Sequence, residues 1–498
     1  MKMIDPLNIA SLLPIAVTLV ISIALRDVIL GLFLGLLSGV LMVYGPNPLQ
    51  AVNLLVRDYL VPQVIDPYNA GVLILLAFIG GFVALMETSG GGEAFTASVK
   101  RFVKNTLRLQ VSAWLGGIVV FFSDLGTPLI VGPIFQTLVD RIGVSREKLA
   151  FIIDSTASPV AILVPFIGWG VYIMGLLAQQ FEVLDITTSD FEGLIGALPY
   201  QFYAWLSLIA IPTLAFAKFD FGPMLAAEGR AFLKSTDICE TPALKNSELP
   251  PRAKTSFVWL PLVILGGVLG LSLGPLGFPF VAISGSDFRA GLSTAYVYAA
   301  VSLVFLMAFY KVRSTMDSLK VYLNGMGRMM HVAALLILAW ALSDLLSEIG
   351  ADTYISSVVV ANIAPGLFAV LIFMTSCLIS FATGSSWGTF AIMFPLIVPA
   401  AFAISAPLSV CIGAVLSGGL FGDHCSPISE TTILSSMGAG CEPIEHFRTQ
   451  LPYALANGFL SLIGFLMAGF YPNAGILMVL IALQGLAIFS LRKHVNMK

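Results

Sequence analysis

Apolar runs of about 20 residues recur from one end of this chain to the other, each long enough for a helix to cross a hydrocarbon core of about 30 Å. Lipid offers no partner to a free backbone group, so such runs must satisfy their hydrogen bonds internally, as helices. A transmembrane barrel would instead show short alternating strands. With 58% hydrophobic and 11% charged residues among 498, and a mean hydropathy of +0.94, the chain has too little polar surface to be soluble. The reading is an all-α polytopic membrane protein. A net charge of -3 without any dense basic cluster gives no sign of a nucleic-acid partner. Cys239, Cys377, Cys411, Cys425 and Cys441 have neither metal-ligand spacing nor a disulfide framework.

The first run, MKMIDPLNIASLLPIAVTLVISIALR, is too long for a signal peptide and reads as a first transmembrane helix. Further helices are expected near 28–44 and 69–87. Basic clusters at Lys100, Arg101, Lys104 and Arg108, and at Arg141, Arg146 and Lys148, then flank a stretch, 109–139, whose one charge is Asp124. That stretch, about 30 residues, is too long for one straight crossing and too short for two full ones. A re-entrant hairpin at about 110–140 fits, with its tip at SDLGTP, Ser123 to Pro128. A second hairpin is expected at about 363–399, with its tip at TGSSWGTF, Thr383 to Phe390. Its flanks lack basic residues, so by charge bias the first hairpin opens to the cytoplasm and the second to the outside.

Two spans carry acids beside Ser-Pro. One is DSTASPVAILVPFIGWG, Asp154 to Gly170, and the other FGDHCSPISETTILSSMGAG, Phe421 to Gly440. Proline removes a backbone donor and pushes the preceding residue away from the helical region, so Ser158-Pro159 and Ser426-Pro427 predict helices broken beside Asp154 and Asp423. The broken helices are expected at about 146–177 and 405–437. Gly126-Thr127 with Pro133 recurs as Gly388-Thr389 with Pro395, and Ser158-Pro159 as Ser426-Pro427. Together with the opposed charge bias, this spacing predicts two inverted-topology repeats, 1–216 and 256–471, joined by a cytoplasmic linker, 217–255, and followed by a final helix and basic tail, 472–498. The expected count is about eleven spans plus two re-entrant hairpins. Lys and Arg distribution places the N-terminus outside and the C-terminus in the cytoplasm.

An ionisable group inside a membrane costs about 2.5 to 3.5 kcal/mol even on lenient insertion scales, which makes such acids candidate functional groups. At a helix break a carboxylate can ligate Na+ or take a proton when the cation leaves, and its plain alternative is to cap the half-helix that follows. Asp154, Ser158, Asp423 and Ser426 are the candidate Na+ ligands, with Asp124 and Glu430 as further ion or proton carriers. Thr127, Ser155, Thr156, Ser385, Ser386, Thr389, Ser429, Thr431 and Thr432 offer hydroxyl oxygens, though such groups often bond their own backbone. His424 can carry a proton or tune a neighbouring acid. His331 and Asp344 fall within a span, and Trp169 and Trp387 can shape a pocket or simply pack.

The segment FGDHCSPISETTILSSMGAG resembles the signature of the NhaC-like sodium/proton antiporter family, within the ion transporter superfamily, and DSTASPVA resembles its first-half counterpart. The resemblance runs over about residues 6 to 490. It implies secondary transport coupled to Na+ or H+ in the cytoplasmic membrane of a prokaryote, two repeats each with a hairpin and a broken helix, and a homodimer with elevator-type motion. That family usually has aspartate where this chain has Glu430. Members also move organic solutes, including malate with lactate and certain amino acids. The leading expectation is therefore Na+/H+ exchange by alternating access without a further cofactor. The alternative is an amino acid or small carboxylate carried on the same fold. A channel would need a continuous polar pathway, and an enzyme is disfavoured because no nucleophile triad or metal-ligand cluster is recognisable.

Overall fold

A computed structural model describes residues 9–100, 102–237, 253–278 and 283–495. Among the described residues every regular element is a helix. Eight helices among the described residues are long and apolar enough to cross a membrane, or ten if two bent pairs each count as one span. The bent pairs are Val28–Tyr44 with Pro48–Ile65, at 108°, and Asp190–Tyr200 with Phe202–Ala217, at 48°. Eleven full spans were expected. Leu408–His424 is among the helices too short to pass on its own, because the break beside Asp423 cuts it. The chain is an integral membrane protein.

Local sequence fixes where these helices start. Asn105 accepts from Arg108 N at 2.9 Å and opens Thr106–Val119. Ser145 does the same for Arg146–Asp154 through Lys148 N at 3.1 Å, and Ser385 for Ser386–Ala403 through Gly388 N at 3.1 Å. Each cap satisfies a donor that the first turn leaves unpaired.

Two hairpins result. The first consists of Thr106–Val119 and Gly126–Ile142, and the second of Pro365–Thr383 and Ser386–Ala403. Gly384, at φ +68°, makes the second turn in the left-handed region that glycine adopts without strain. Both broken helices are also present. The second runs as Leu408–His424 and Glu430–Ala439, with Ser426-Pro427 in the gap. The first runs as Arg146–Asp154, a single turn Ser158–Ala161, and Gly168–Val183. Its second interruption surrounds Pro165, a residue that cannot donate to a continuing helix.

Packing repeats with the halves exchanged. Gly126–Ile142 of the first hairpin packs on Glu430–Ala439 of the second broken helix, and Ser386–Ala403 of the second hairpin packs on Gly168–Val183 of the first. Phe202–Ala217 lies on Leu408–His424, and Pro443–Phe470 lies on Arg146–Asp154. The first of these crossings needs glycine, since a Cβ on Gly132 would fall 2.2 Å from the carbonyl oxygen of Gly438. Small residues at such a crossing let two backbones touch without a hydrophobic drive between helices.

Part of the expected linker, 217–255, lies outside the described residues. Its described helix, Gly222–Asp237, packs against Gly126–Ile142, Arg146–Asp154 and Pro443–Phe470. Just before it, Asp220 accepts from Lys148 Nζ at 2.5 Å and from the Tyr453 hydroxyl at 2.8 Å.

Candidate functional site

The two broken helices place Asp154 and Asp423 at the ends of their first segments, both buried. Asp423 Oδ1 accepts from Ser429 Oγ at 2.8 Å, and Oδ2 accepts from Thr431 Oγ1 at 2.8 Å. Ser429 Oγ and Thr431 Oγ1 are themselves 3.0 Å apart. Carboxylate and hydroxyls thus form one compact group of oxygens around the start of Glu430–Ala439. Ser429 stands at the N-cap of that helix, yet no side chain accepts the cap's backbone bond there. The partners recorded for Asp423 are hydroxyls, which sets it apart from a cap.

Asp154 draws on different partners. Its Oδ1 accepts from Ser435 Oγ at 3.2 Å and its Oδ2 from Gln450 Nε2 at 2.5 Å, while His446 Nε2 lies 3.5 Å from Oδ2. Gln450 also donates to the His424 carbonyl at 3.1 Å, and His424 Nδ1 meets the Tyr203 hydroxyl at 3.2 Å. Thr431 and Ser435 are one helical turn apart on Glu430–Ala439. A single helix face therefore serves both carboxylates, Asp423 through Thr431 and Asp154 through Ser435, with a rise of about 6 Å between the two attachment points. Ser158 Oγ and Thr432 Oγ1 are buried without a hydrogen-bond partner among the described residues.

The hairpin tips add an acid and an aromatic seam. Asp124 Oδ2 accepts from Trp169 Nε1 at 3.0 Å. Trp169 packs on Trp387 of the other tip, ring centroids 4.9 Å apart, and Tyr172 packs on Trp387 at 4.7 Å and donates to its carbonyl at 2.7 Å. Asp423 lies within electrostatic reach of both Asp154 and Asp124. Glu430 is exposed in the first turn of its helix and within electrostatic reach of Asp124, with no recorded bond to Asp423.

The remaining sequence candidates divide. Thr127 donates to the carbonyls of Val120 and Ser123, Thr156 to those of Ile152 and Ile153, and Thr389 to that of Ser385. These three hydroxyls spend their protons on nearby backbone. Ser426 Oγ donates to Phe381 O at 3.0 Å, tying the second break to the second hairpin. Ser385 caps its helix, and Ser155 and Ser386 are buried near the breaks and tips. His331 is exposed. Asp344 accepts from Gln63 at 2.5 Å and Gln179 at 2.8 Å, in a polar network apart from this site.

Sequence reasoning missed Ser435, His446, Gln450 and Tyr203. A signal existed for two of them, since His446 and Gln450 stand four apart in a helix and continue as a polar stripe through Asn457 and Ser461. Hard monovalent cations favour the carboxylate and hydroxyl oxygens gathered here, and the same carboxylates can hold protons. The arrangement can thus bind either, one at the cost of the other.

The profile of the Na+/H+ antiporter family matches residues 160–470. An uncharacterized protein of Haemophilus influenzae is 31% identical over 488 residues, covering 94% of this chain and 93% of that protein. The malate-2H(+)/Na(+)-lactate antiporter of Bacillus subtilis is 32% identical over 108 residues, 22% of this chain and 23% of that protein. Among solved structures, the Alcanivorax borkumensis YdaH transporter has a TM-score of 0.57 at 14% identity, covering 88% of this chain and 89% of that one, a likeness of fold.

Proposed function

Since the chain belongs to the Na+/H+ antiporter family and is a secondary antiporter, we propose that it exchanges Na+ for H+ across the cytoplasmic membrane of a prokaryote, with its N-terminus outside and its C-terminus in the cytoplasm. One observation carries this reading: the buried Asp423 is surrounded by two hydroxyls, one of which shares a helix face with the hydroxyl bound to Asp154. Without a cation, Ser429 and Thr431 donate to the carboxylate. With Na+ in the group, both hydroxyls turn so that lone pairs face the ion, and the carboxylate supplies the charge that a dehydrated cation needs. When the ion leaves, a proton neutralises the same carboxylate, which makes the loaded and unloaded states alike in charge and lets either cross a low-dielectric barrier. Asp154, with Gln450 and His446 around it, is the second carboxylate of the exchange. In this reading Na+ and H+ are the coupling ions, and the family resemblance supports a homodimer in the lipid bilayer.

A second reading keeps the site and adds an organic cargo, an amino acid or a small carboxylate. It is favoured by the aromatic seam of Trp169, Trp387 and Tyr172 beside Asp124, in which the half-buried Trp387 leaves some ring surface that a bare ion does not use. The similarity to a malate/lactate antiporter points the same way. Proteoliposomes separate the two. Under the first reading an imposed Na+ gradient moves protons with no organic solute added, and proton flux that appears only with a solute establishes the second.

A further inference from the structure

The tip of the first hairpin is fastened by a carboxylate outside the ion site. Ser123 Oγ accepts from Gly126 N at 2.8 Å, closing the turn, and donates its own proton to Glu87 Oε1 at 2.6 Å. A Cβ at Gly126 would lie 2.9 Å from Ser123 Oγ and 3.1 Å from Glu87 Oε1, so the glycine leaves the space that Glu87 occupies. The other oxygen of Glu87 accepts from Arg328 Nη1 at 2.9 Å. Glu87 stands near the end of Pro67–Thr88 in the first half of the chain. Arg328 ends Thr315–Arg328 in the second half, at its seam with Met330–Glu348. The next residue of the tip, Asp124, is held from another side by Trp169.

We propose that Glu87 is a positioning residue for the first hairpin's tip, and that its ion pair with Arg328 makes the hold on that tip depend on how the two halves meet. The arginine side chain is 63% exposed and the glutamate's 19%. An ion pair so open to solvent adds little to stability and is easily broken and remade. Its consequence lies in the relay. When Arg328 withdraws, Glu87 loses the partner that aims it, Ser123 loses its acceptor, and the turn that presents Asp124 loosens. The proposal concerns access to the tip and holds whichever ion or solute is carried.

Leu125, 37% exposed at the same turn, provides the probe. Leu125→Cys, in a chain whose own cysteines are replaced by serine, is labelled with a maleimide on purified protein in detergent. Glu87→Ala should raise the labelling rate at least fivefold. Glu87→Gln, which keeps a carbonyl oxygen for Ser123, should raise it less. The charge swap Glu87→Arg with Arg328→Glu restores an ion pair but gives Ser123 no acceptor, because a guanidinium only donates. Labelling should therefore stay fast in the swap. A swap that returns to the parental rate, or a Glu87→Ala variant that labels at the parental rate, overturns the proposal. Thermal unfolding of each variant separates loosening of the tip from loss of the fold.

Discussion

At the scale of single residues, the claim about Asp423 is a claim about oxygen atoms. Asp423→Asn preserves shape but removes the charge, and it should abolish Na+-coupled transport while the protein remains folded in the membrane. Ser429→Ala and Thr431→Val each remove one hydroxyl 2.8 Å from that carboxylate. Each change takes one oxygen ligand from the proposed Na+ shell, and a loss of about 1.4 kcal/mol of binding raises the Na+ concentration for half-maximal transport about tenfold. Unchanged Na+ dependence in both would remove these hydroxyls from the site. Outside the ion site, Lys148 is 1% exposed on its side chain and paired to Asp220. Lys148→Met leaves a carboxylate without its cation and should cost about 3 to 5 kcal/mol, read as a large fall in the unfolding temperature. Glu228, on the linker helix, accepts from Ser145 N at 2.8 Å and Ser145 Oγ at 2.6 Å, and burial pushes its carboxyl above the usual value of 4.5 despite those bonds. The folded state thus favours the neutral acid. The stability tied to Glu228 is full below the ordinary glutamate range and is lost as pH rises through the raised value. Glu228→Gln should flatten that part of the profile of unfolding temperature against pH.

At the scale of elements, the breaks and the hairpin crossings decide the geometry of the site. Gly438 lies where Glu430–Ala439 crosses Gly126–Ile142, and a Cβ there would sit 2.2 Å from Pro128 O, a backbone atom that cannot turn aside. Gly438→Val should therefore push the helices apart and cost about 1 to 3 kcal/mol, with reduced transport, seen in thermal unfolding and flux together. Much at this scale is legible in the sequence. Ser-Pro beside an acid in an apolar run marks both breaks, and the Gly-Thr motif with basic flanks marks the first tip, because proline and charge act locally and leave a local trace. The gap around Pro165 leaves no such trace, since a second interruption one turn after the first has no periodic pattern to disturb. Gln450, His446 and Ser435 were not legible as partners of Asp154. Their contacts join segments 281 to 296 positions apart in sequence, and no spacing rule connects them.

At the scale of the whole molecule, each hairpin packs on the broken helix of the opposite half. Each hairpin also packs on the broken helix of its own half, so a shift of either one acts on the site through both halves, which is the kind of coupling alternating access requires. Family membership and helical architecture support a secondary antiporter, and the proposed exchange rests on two carboxylates from different helices that bond hydroxyls on one face of Glu430–Ala439. The most direct test is proton release on adding Na+ to purified protein in weakly buffered detergent solution. Competition at Asp423 predicts protons released in proportion to Na+ bound, with release lost in Asp423→Asn. Na+ binding that leaves the pH unchanged would contradict it.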